Sequence, residues 1–131
     1  MAIGLLIITH GDIGQQLVEA ARITLDGKLP LKCETLSVGP DCNPEQVNEQ
    51  ANAYIDSLDT GSGVLVLTDI YGSTPSNIAN RCGEGTQLKV VAGINLPMLI
   101  RILNYAKLEL TDIVDKAVSG GHDGIILCEK Q

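Results

Sequence analysis

The sequence predicts an α/β protein: an open, mainly parallel central sheet with helices on both faces. Two nearly unbroken apolar stretches, residues 3–8 and 64–67, are typical of central strands buried on both faces. Between such stretches, apolar residues recur at helical spacing. Because strands that alternate with helices pair in parallel through right-handed crossovers, we expect the flavodoxin-like strand order 2-1-3-4. The length of 131 residues predicts a single domain over residues 1–131.

The first half of the chain opens with a strand, a turn and a helix over residues 13–25. Residues 31–38 mix polar and apolar side chains, which indicates an edge strand with one wetter face. Asn43 is expected to cap the second helix, with Pro44 at its first position. The apolar stripe of that helix ends at Leu58, before the second continuous apolar strand.

The second half continues the alternation. Its predicted elements are a helix that Ser73 or Thr74 caps and that stops near Gly83, a strand over 88–92, a helix around 98–103, a helix that Thr111 caps and that runs to about Ala117, and a final strand over 125–128. The glycines within residues 119–124 predict a flexible link before the final strand. That strand either closes the other edge of the sheet or pairs with a second subunit.

Composition excludes several classes of function. The net charge of −7 argues against nucleic acid and anionic membrane as partners, since both need a basic face, but it permits a protein with a basic patch. Four cysteines without a C-x-x-C pair and only two histidines argue against a zinc site, and we expect no metal and no cofactor. Reduced thiols and the lack of a signal peptide predict a cytoplasmic protein without membrane insertion.

The chemistry is expected at the carboxyl ends of the first and third strands, which are neighbours in the predicted order. His10 and Asp69 are the ionisable residues nearest those ends. A carboxylate that accepts a hydrogen bond from one ring nitrogen fixes the tautomer and leaves the other nitrogen with a lone pair. Such a nitrogen is a nucleophile or a general base.

An anion cradle is predicted around this pair. Two helices begin nearby, and their free N–H groups favour negative charge. Gly11, Gly72, Ser73 and Thr74 are therefore the expected phosphate-binding residues. A nucleophilic histidine, an orienting aspartate and an anion cradle together indicate a phosphoryl group carried on His10.

Three motifs resemble one family, the mannose-type enzyme IIA domains of the bacterial phosphoenolpyruvate:sugar phosphotransferase system. Thr9-His10-Gly11 is similar to its opening T-H-G or S-H-G, residues 67–77 to its D-L-F-G-G-S-P-x-N segment, and residues 92–99 to its A-G-V-N-L-P-M-L segment. The resemblance covers essentially the whole chain in the same order. The chain departs from the second motif at Ser73, where the family has glycine, and at Thr74, where it has serine.

The resemblance implies a phosphotransferase component in which His10 is phosphorylated and Asp69 is its partner. The phosphoryl group would come from the phosphocarrier HPr and pass to a IIB component during sugar uptake. The resemblance also implies a homodimer in which the last strand is exchanged between subunits. The chain ends at Gln131 without an Ala/Pro-rich linker, which predicts a stand-alone IIA.

Two other functions stay open, and both still need His10. The domain could act as a regulatory module whose phosphorylation state another protein reads, or it could deliver phosphoryl groups to a partner of the dihydroxyacetone-kinase type. A small hydrolase is disfavoured because no activated serine or cysteine is evident near His10.

Overall fold

Four parallel strands form the central sheet of the protein in a computed structural model, which describes residues 2–83 and 86–129. The strands are β1 (Gly4–His10), β2 (Cys33–Val38), β3 (Val64–Thr68) and β4 (Leu88–Ala92), in the order β2-β1-β3-β4. The predicted fold class and strand order are therefore confirmed. β2 and β4 are the edges of this sheet.

Within the described ranges, five helices connect and cover the strands: α1 (Ile13–Thr24), α2 (Pro44–Leu58), α3 (Thr74–Asn80), α4 (Leu96–Asn104) and α5 (Leu110–Asp123). The sequence-predicted cap of α2 is present, because the Asn43 side chain accepts hydrogen bonds from the N–H groups of Glu45 and Gln46. α5 begins two residues earlier than predicted, with Glu109 rather than Thr111 as the residue before its first turn.

The central strand β1 is buried on both faces, which explains its unbroken apolar sequence. Leu5 and Ile7 join a cluster with residues of α1, α4 and α5, while Leu6 and Ile8 join a second cluster with residues of α2 and α3. The alternation follows from the two-residue period of a strand. Burying each such side chain stabilises the fold by about 1.5–3 kcal/mol.

The register of the sheet places the predicted site. Ile8 of β1 lies opposite Thr68 of β3, so His10 and Asp69 both follow the paired region at the same edge. The turns after the parallel strands meet at this carboxyl edge, where the strand order reverses between β1 and β3.

The predicted flexible link at residues 119–124 is wrong, because α5 continues to Asp123. Gly120 and Gly121 are buried against α4: a Cβ on Gly120 would lie 2.7 Å from Cβ of Arg101. These glycines permit close helix packing rather than chain flexibility. The side chains of Arg101 and Asp123 also form an ion pair across the two helices at 2.7 Å.

Residues 125–128 form no strand with the described part of their own chain. Ile125, Ile126 and Leu127 are 72–82% exposed, although the sequence predicted that these side chains would be covered. Exchange with a second subunit stays a prediction. Within the described residues, no helix has the length and apolar character needed to cross a bilayer.

Candidate functional site

His10 and Asp69 contact each other at the carboxyl edge of the sheet. His10 is the last residue of β1, and Asp69 directly follows β3. The distance from Nδ1 of His10 to Oδ2 of Asp69 is 2.8 Å. The same oxygen accepts the backbone N–H of His10 at 3.0 Å, so Asp69 holds both the ring and the main chain of the histidine.

This contact selects the tautomer of the His10 ring. An ionised carboxylate only accepts hydrogen bonds, so Nδ1 carries the proton and Nε2 keeps a lone pair. The His10 side chain is 47% exposed, whereas that of Asp69 is only 10% exposed. Nε2 is therefore the ring nitrogen that remains available to a reaction partner.

The pKa of Asp69 is lowered from its ordinary value of 3.8. Partial burial acts in the opposite direction and would raise this pKa. Hydrogen bonds from the His10 ring and from the N–H groups of His10 and Ile70, together with the electrostatic interaction with the ring, outweigh that effect. Asp69 therefore remains a carboxylate at neutral pH, as the tautomer assignment requires.

In the turn after β1, the backbone N–H of Gly11 is already used in a hydrogen bond. Gly11 adopts a left-handed conformation with φ of 48°, and its N–H donates to the carbonyl of Val38 at 3.1 Å. The predicted phosphate-binding residue Gly11 thus shapes the turn, and its N–H is already bonded. Thr9, which the sequence analysis did not assign to the site, accepts the Gly14 N–H on its hydroxyl at 2.9 Å and so ties α1 to β1.

In the turn after β3, some hydrogen-bond donors are used within the turn and others are open. Gly72 has φ of 81°, and the hydroxyl of Ser73 donates to the carbonyl of Ile70 at 2.6 Å. Thr74 is exposed at the first position of α3. No hydrogen bond among the described residues occupies the backbone N–H groups of Gly72 and Thr74. Of the two predicted hydroxyls, the one on Thr74 remains open to solvent.

Exposed apolar side chains lie close in sequence to His10 and Asp69, at the start of α1 and in the turn after β3. Ile13, Ile70 and Tyr71 are 48%, 60% and 84% exposed. These three residues were not among the predicted site residues, although a tyrosine within a polar strand-end turn is a signal that could have indicated them. The four turns at this edge, residues 10–12, 39–43, 69–73 and 93–95, contain no lysine or arginine.

No group of three or more His, Cys, Asp or Glu side chains that could hold a metal ion occurs in the described ranges. His122 falls within the segment predicted as a flexible link but lies exposed in the last turn of α5.

The fold and this pair define an open, doubly wound α/β protein with a carboxylate-held histidine at its switch point. A family model described as the PTS system fructose IIA component (EIIA-man) matches residues 4–118. The chain therefore belongs to the mannose-type EIIA family of the phosphotransferase system (PTS), which confirms the resemblance seen in its motifs.

Relatives and solved structures agree with that family. The chain is 34% identical over 133 residues to the PTS system mannose-specific EIIAB component of Escherichia coli K12, a match that covers 95% of this chain but only 39% of that relative. It is 25% identical over 130 residues to the PTS system fructose-specific EIIA component of Bacillus subtilis 168, covering 98% of this chain and 88% of that protein.

The fold matches the mannose/sorbose specific IIA subunit of the phosphotransferase system from Enterococcus faecalis with a TM-score of 0.88. At 21% identity, this match covers 100% of this chain and 98% of that one. It supports the architecture alone.

Proposed function

We propose that this protein accepts a phosphoryl group from a phosphorylated HPr-like carrier on Nε2 of His10 and passes it to a IIB component in sugar uptake. The observation that carries the proposal is the 2.8 Å contact between Nδ1 of His10 and the Asp69 carboxylate. It gives the ring one protonated nitrogen and one nucleophilic nitrogen at an exposed position. Membership of the EIIA family makes phosphoryl transfer the chemistry that fits this arrangement.

In the proposed step, the Nε2 lone pair of His10 attacks the phosphorus atom of the donor's phosphohistidine. A P–N bond forms to His10 while the P–N bond to the donor breaks, and the donor's nitrogen keeps the electron pair. Because Nδ1 retains its proton, the phosphorylated ring carries a positive charge. The adjacent Asp69 carboxylate stabilises that charge. Transfer to the IIB component repeats the same exchange with His10 as the donor.

The phosphoryl oxygens need partners of their own. We assign this role to the Thr74 hydroxyl and to the open N–H groups of Gly72 and Thr74, which lie in the turn directly after Asp69. The four turns at this edge contain no lysine or arginine. These turns therefore supply no cation to balance the charge of the transferring phosphoryl group, and we assign that role to the docked partner.

The exposed Ile13, Ile70 and Tyr71 side chains support a protein as the phosphoryl donor. Apolar and aromatic side chains at the centre of an interface supply much of its binding energy. Acidic Asp12 and Asp41 lie in the neighbouring turns, so a partner with a basic surface around an apolar centre would fit this edge.

The test is incubation with phosphoenolpyruvate, enzyme I and HPr, followed by intact-mass measurement. The expected result is the gain of one phosphoryl group by the wild type and none by His10→Ala. Labelling of His10→Ala, or of His122 in the wild type, would overturn the assignment.

We further propose a homodimer in which residues 125–128 pair with the second subunit. These residues are apolar and exposed, and β4 is an unpaired sheet edge that a strand could cover. Truncation after Gly124 keeps α5 intact and removes only this segment. Light scattering should then show loss of the dimer. A truncated protein that stays as tightly dimeric as the full chain would contradict the exchange.

A further inference from the structure

Ser73 occupies a position where the family motif has glycine. Its hydroxyl donates a hydrogen bond to the Ile70 carbonyl within the site. We infer that Ser73 is a positioning residue: by holding the Ile70 carbonyl, it keeps the Ile70 N–H on Asp69 and thereby keeps the His10 ring in its reactive tautomer. This inference rests on the proposed function, since it concerns the same histidine.

The hydrogen bonds form a continuous path. The His10 ring donates to Oδ2 of Asp69 at 2.8 Å, and the Ile70 N–H donates to Oδ1 of the same carboxylate at 3.0 Å. The Ile70 carbonyl in turn accepts both the Ser73 hydroxyl at 2.6 Å and the Ser73 N–H at 3.3 Å. Ile70 is thus held on both sides, by Asp69 and by Ser73.

The Ser73 hydroxyl is poorly suited to bind the phosphoryl group itself. A serine hydroxyl has a single proton, and that proton is donated to the Ile70 carbonyl. Only oxygen lone pairs are left to face an incoming anion, and these repel it. The structure therefore favours a role for Ser73 through Asp69 over the phosphate-binding role that its position in the sequence suggested.

The turn needs such an anchor. Residues 70–73 form a four-residue turn whose third residue, Gly72, has φ of 81°, and glycine is the most conformationally free residue. Without the Ser73 side chain, the turn would close only through the Ser73 N–H, whose 3.3 Å distance to the Ile70 carbonyl is longer than an ordinary N–H···O bond. Motion of Ile70 would then reach the carboxylate that orients His10.

The experiment compares wild type, Ser73→Ala and Ser73→Thr. Phosphorylation rates are measured with a small phosphoryl donor, phosphoramidate, so that protein docking has no influence. The matched control is Ser119→Ala. Ser119 also donates its hydroxyl to the carbonyl three residues earlier, at 3.3 Å, but it is an exposed residue of α5 whose other partner is Arg101 rather than a residue of the site. Nitrogen-15 NMR of the His10 ring reports which ring nitrogen is protonated. This measurement does not require that the protein accepts a phosphoryl group.

We expect Ser73→Ala to slow phosphorylation by about 2- to 10-fold, the effect of losing one hydrogen bond, and to reduce the population with the proton on Nδ1. Ser73→Thr keeps a hydroxyl and should show the wild-type phosphorylation rate and the wild-type population with the proton on Nδ1. Ser119→Ala should change neither quantity. Three results would overturn the inference: a wild-type rate in Ser73→Ala, a slower rate with unchanged ring signals, or an equal loss in Ser119→Ala. If the wild type itself accepts no phosphoryl group, the proposed function fails, and the ring signals alone decide the role of Ser73.

Discussion

Replacing Asp69 by asparagine tests how the site controls His10. The carboxylate accepts three hydrogen bonds: the His10 ring and the His10 N–H on Oδ2, and the Ile70 N–H on Oδ1. An asparagine has only one acceptor atom. If the asparagine oxygen points toward His10, the asparagine NH2 group faces the Ile70 N–H. If the side chain is flipped, the NH2 group faces the His10 N–H and the His10 ring. Either way, one backbone donor loses its acceptor.

The size of the effect follows from these contacts. A hydrogen bond to a charged group contributes about 1.5–3 kcal/mol, which corresponds to a transfer rate lowered by about 10- to 150-fold. In addition, the positive charge on the phosphorylated ring loses its counter-charge. This loss extends the expected decrease in transfer rate toward roughly 1,000-fold, within the range of general acid–base contributions. Asp69→Asn should therefore remain folded but transfer the phosphoryl group about 10- to 1,000-fold more slowly.

The assay is rapid-quench transfer from phosphorylated HPr in both directions, with Asp59→Asn as the control. Oδ1 of Asp59 also accepts two backbone N–H groups, from Gly61 at 2.9 Å and Gly63 at 3.1 Å, but the loop containing these residues lies before β3, at the opposite end of the strand from Asp69. The control should lose stability without losing transfer. Wild-type rates for Asp69→Asn in both directions would refute the reasoning.

Three further outcomes are expected. His10→Ala should accept no phosphoryl group yet keep the far-ultraviolet circular dichroism of the wild type, because the side chain is about half exposed and lies at the end of β1; an altered spectrum would contradict this. The lowered pKa of Asp69 means that its ionised form stabilises the fold above pH 3.8 and that this contribution is lost as the pH falls through the folded pKa. Urea titrations should therefore show the stability gap between wild type and Asp69→Asn shrinking in acid; a constant gap would argue against it. Tyr71→Ala should slow transfer from phosphorylated HPr by about 5-fold or more, the effect of losing an interface anchor, but leave phosphoramidate labelling unchanged. Tyr105→Ala, a tyrosine at the end of α4, should affect neither rate.

The central part of the fold could be predicted because burial leaves a direct trace in the sequence. β1 and β3 are covered on both faces and are therefore apolar without alternation. Once the strand order was inferred, the proximity of His10 and Asp69 followed from the rule that parallel strands end at the same edge.

The roles of individual donors in the turns could not be predicted in the same way. Whether a hydroxyl faces solvent or its own main chain depends on backbone angles set by neighbouring residues. Ser73 and Thr74 are adjacent and chemically similar, yet the first is bonded to Ile70 and the second is exposed. Likewise, Gly11 lies beside the reactive histidine, but its N–H is used by Val38 of β2, a contact that sequence spacing does not indicate.

The glycines near the C-terminus show why local composition wrongly predicted a flexible link at residues 119–124. Their packing also fixes where the last residues of the chain leave the fold. Gly120 and Gly121 lie inside α5 because a residue without a side chain fits against α4, and the Gly121 carbonyl accepts the side-chain amide of Asn95 at 3.1 Å. Asn95 precedes α4 at the carboxyl edge of the sheet, so α5 is tied to the edge that carries His10. A Cβ on Gly124 would clash with Cβ of Pro97, so the C-terminal tail, residues 125–129, also starts at this edge. A tail that paired with β4 of its own chain from this point would run antiparallel to it, since β4 points toward this edge. The C-terminal segment is therefore packed on α4 as far as Gly124, and the proposed exchange between subunits would use the exposed residues that follow it.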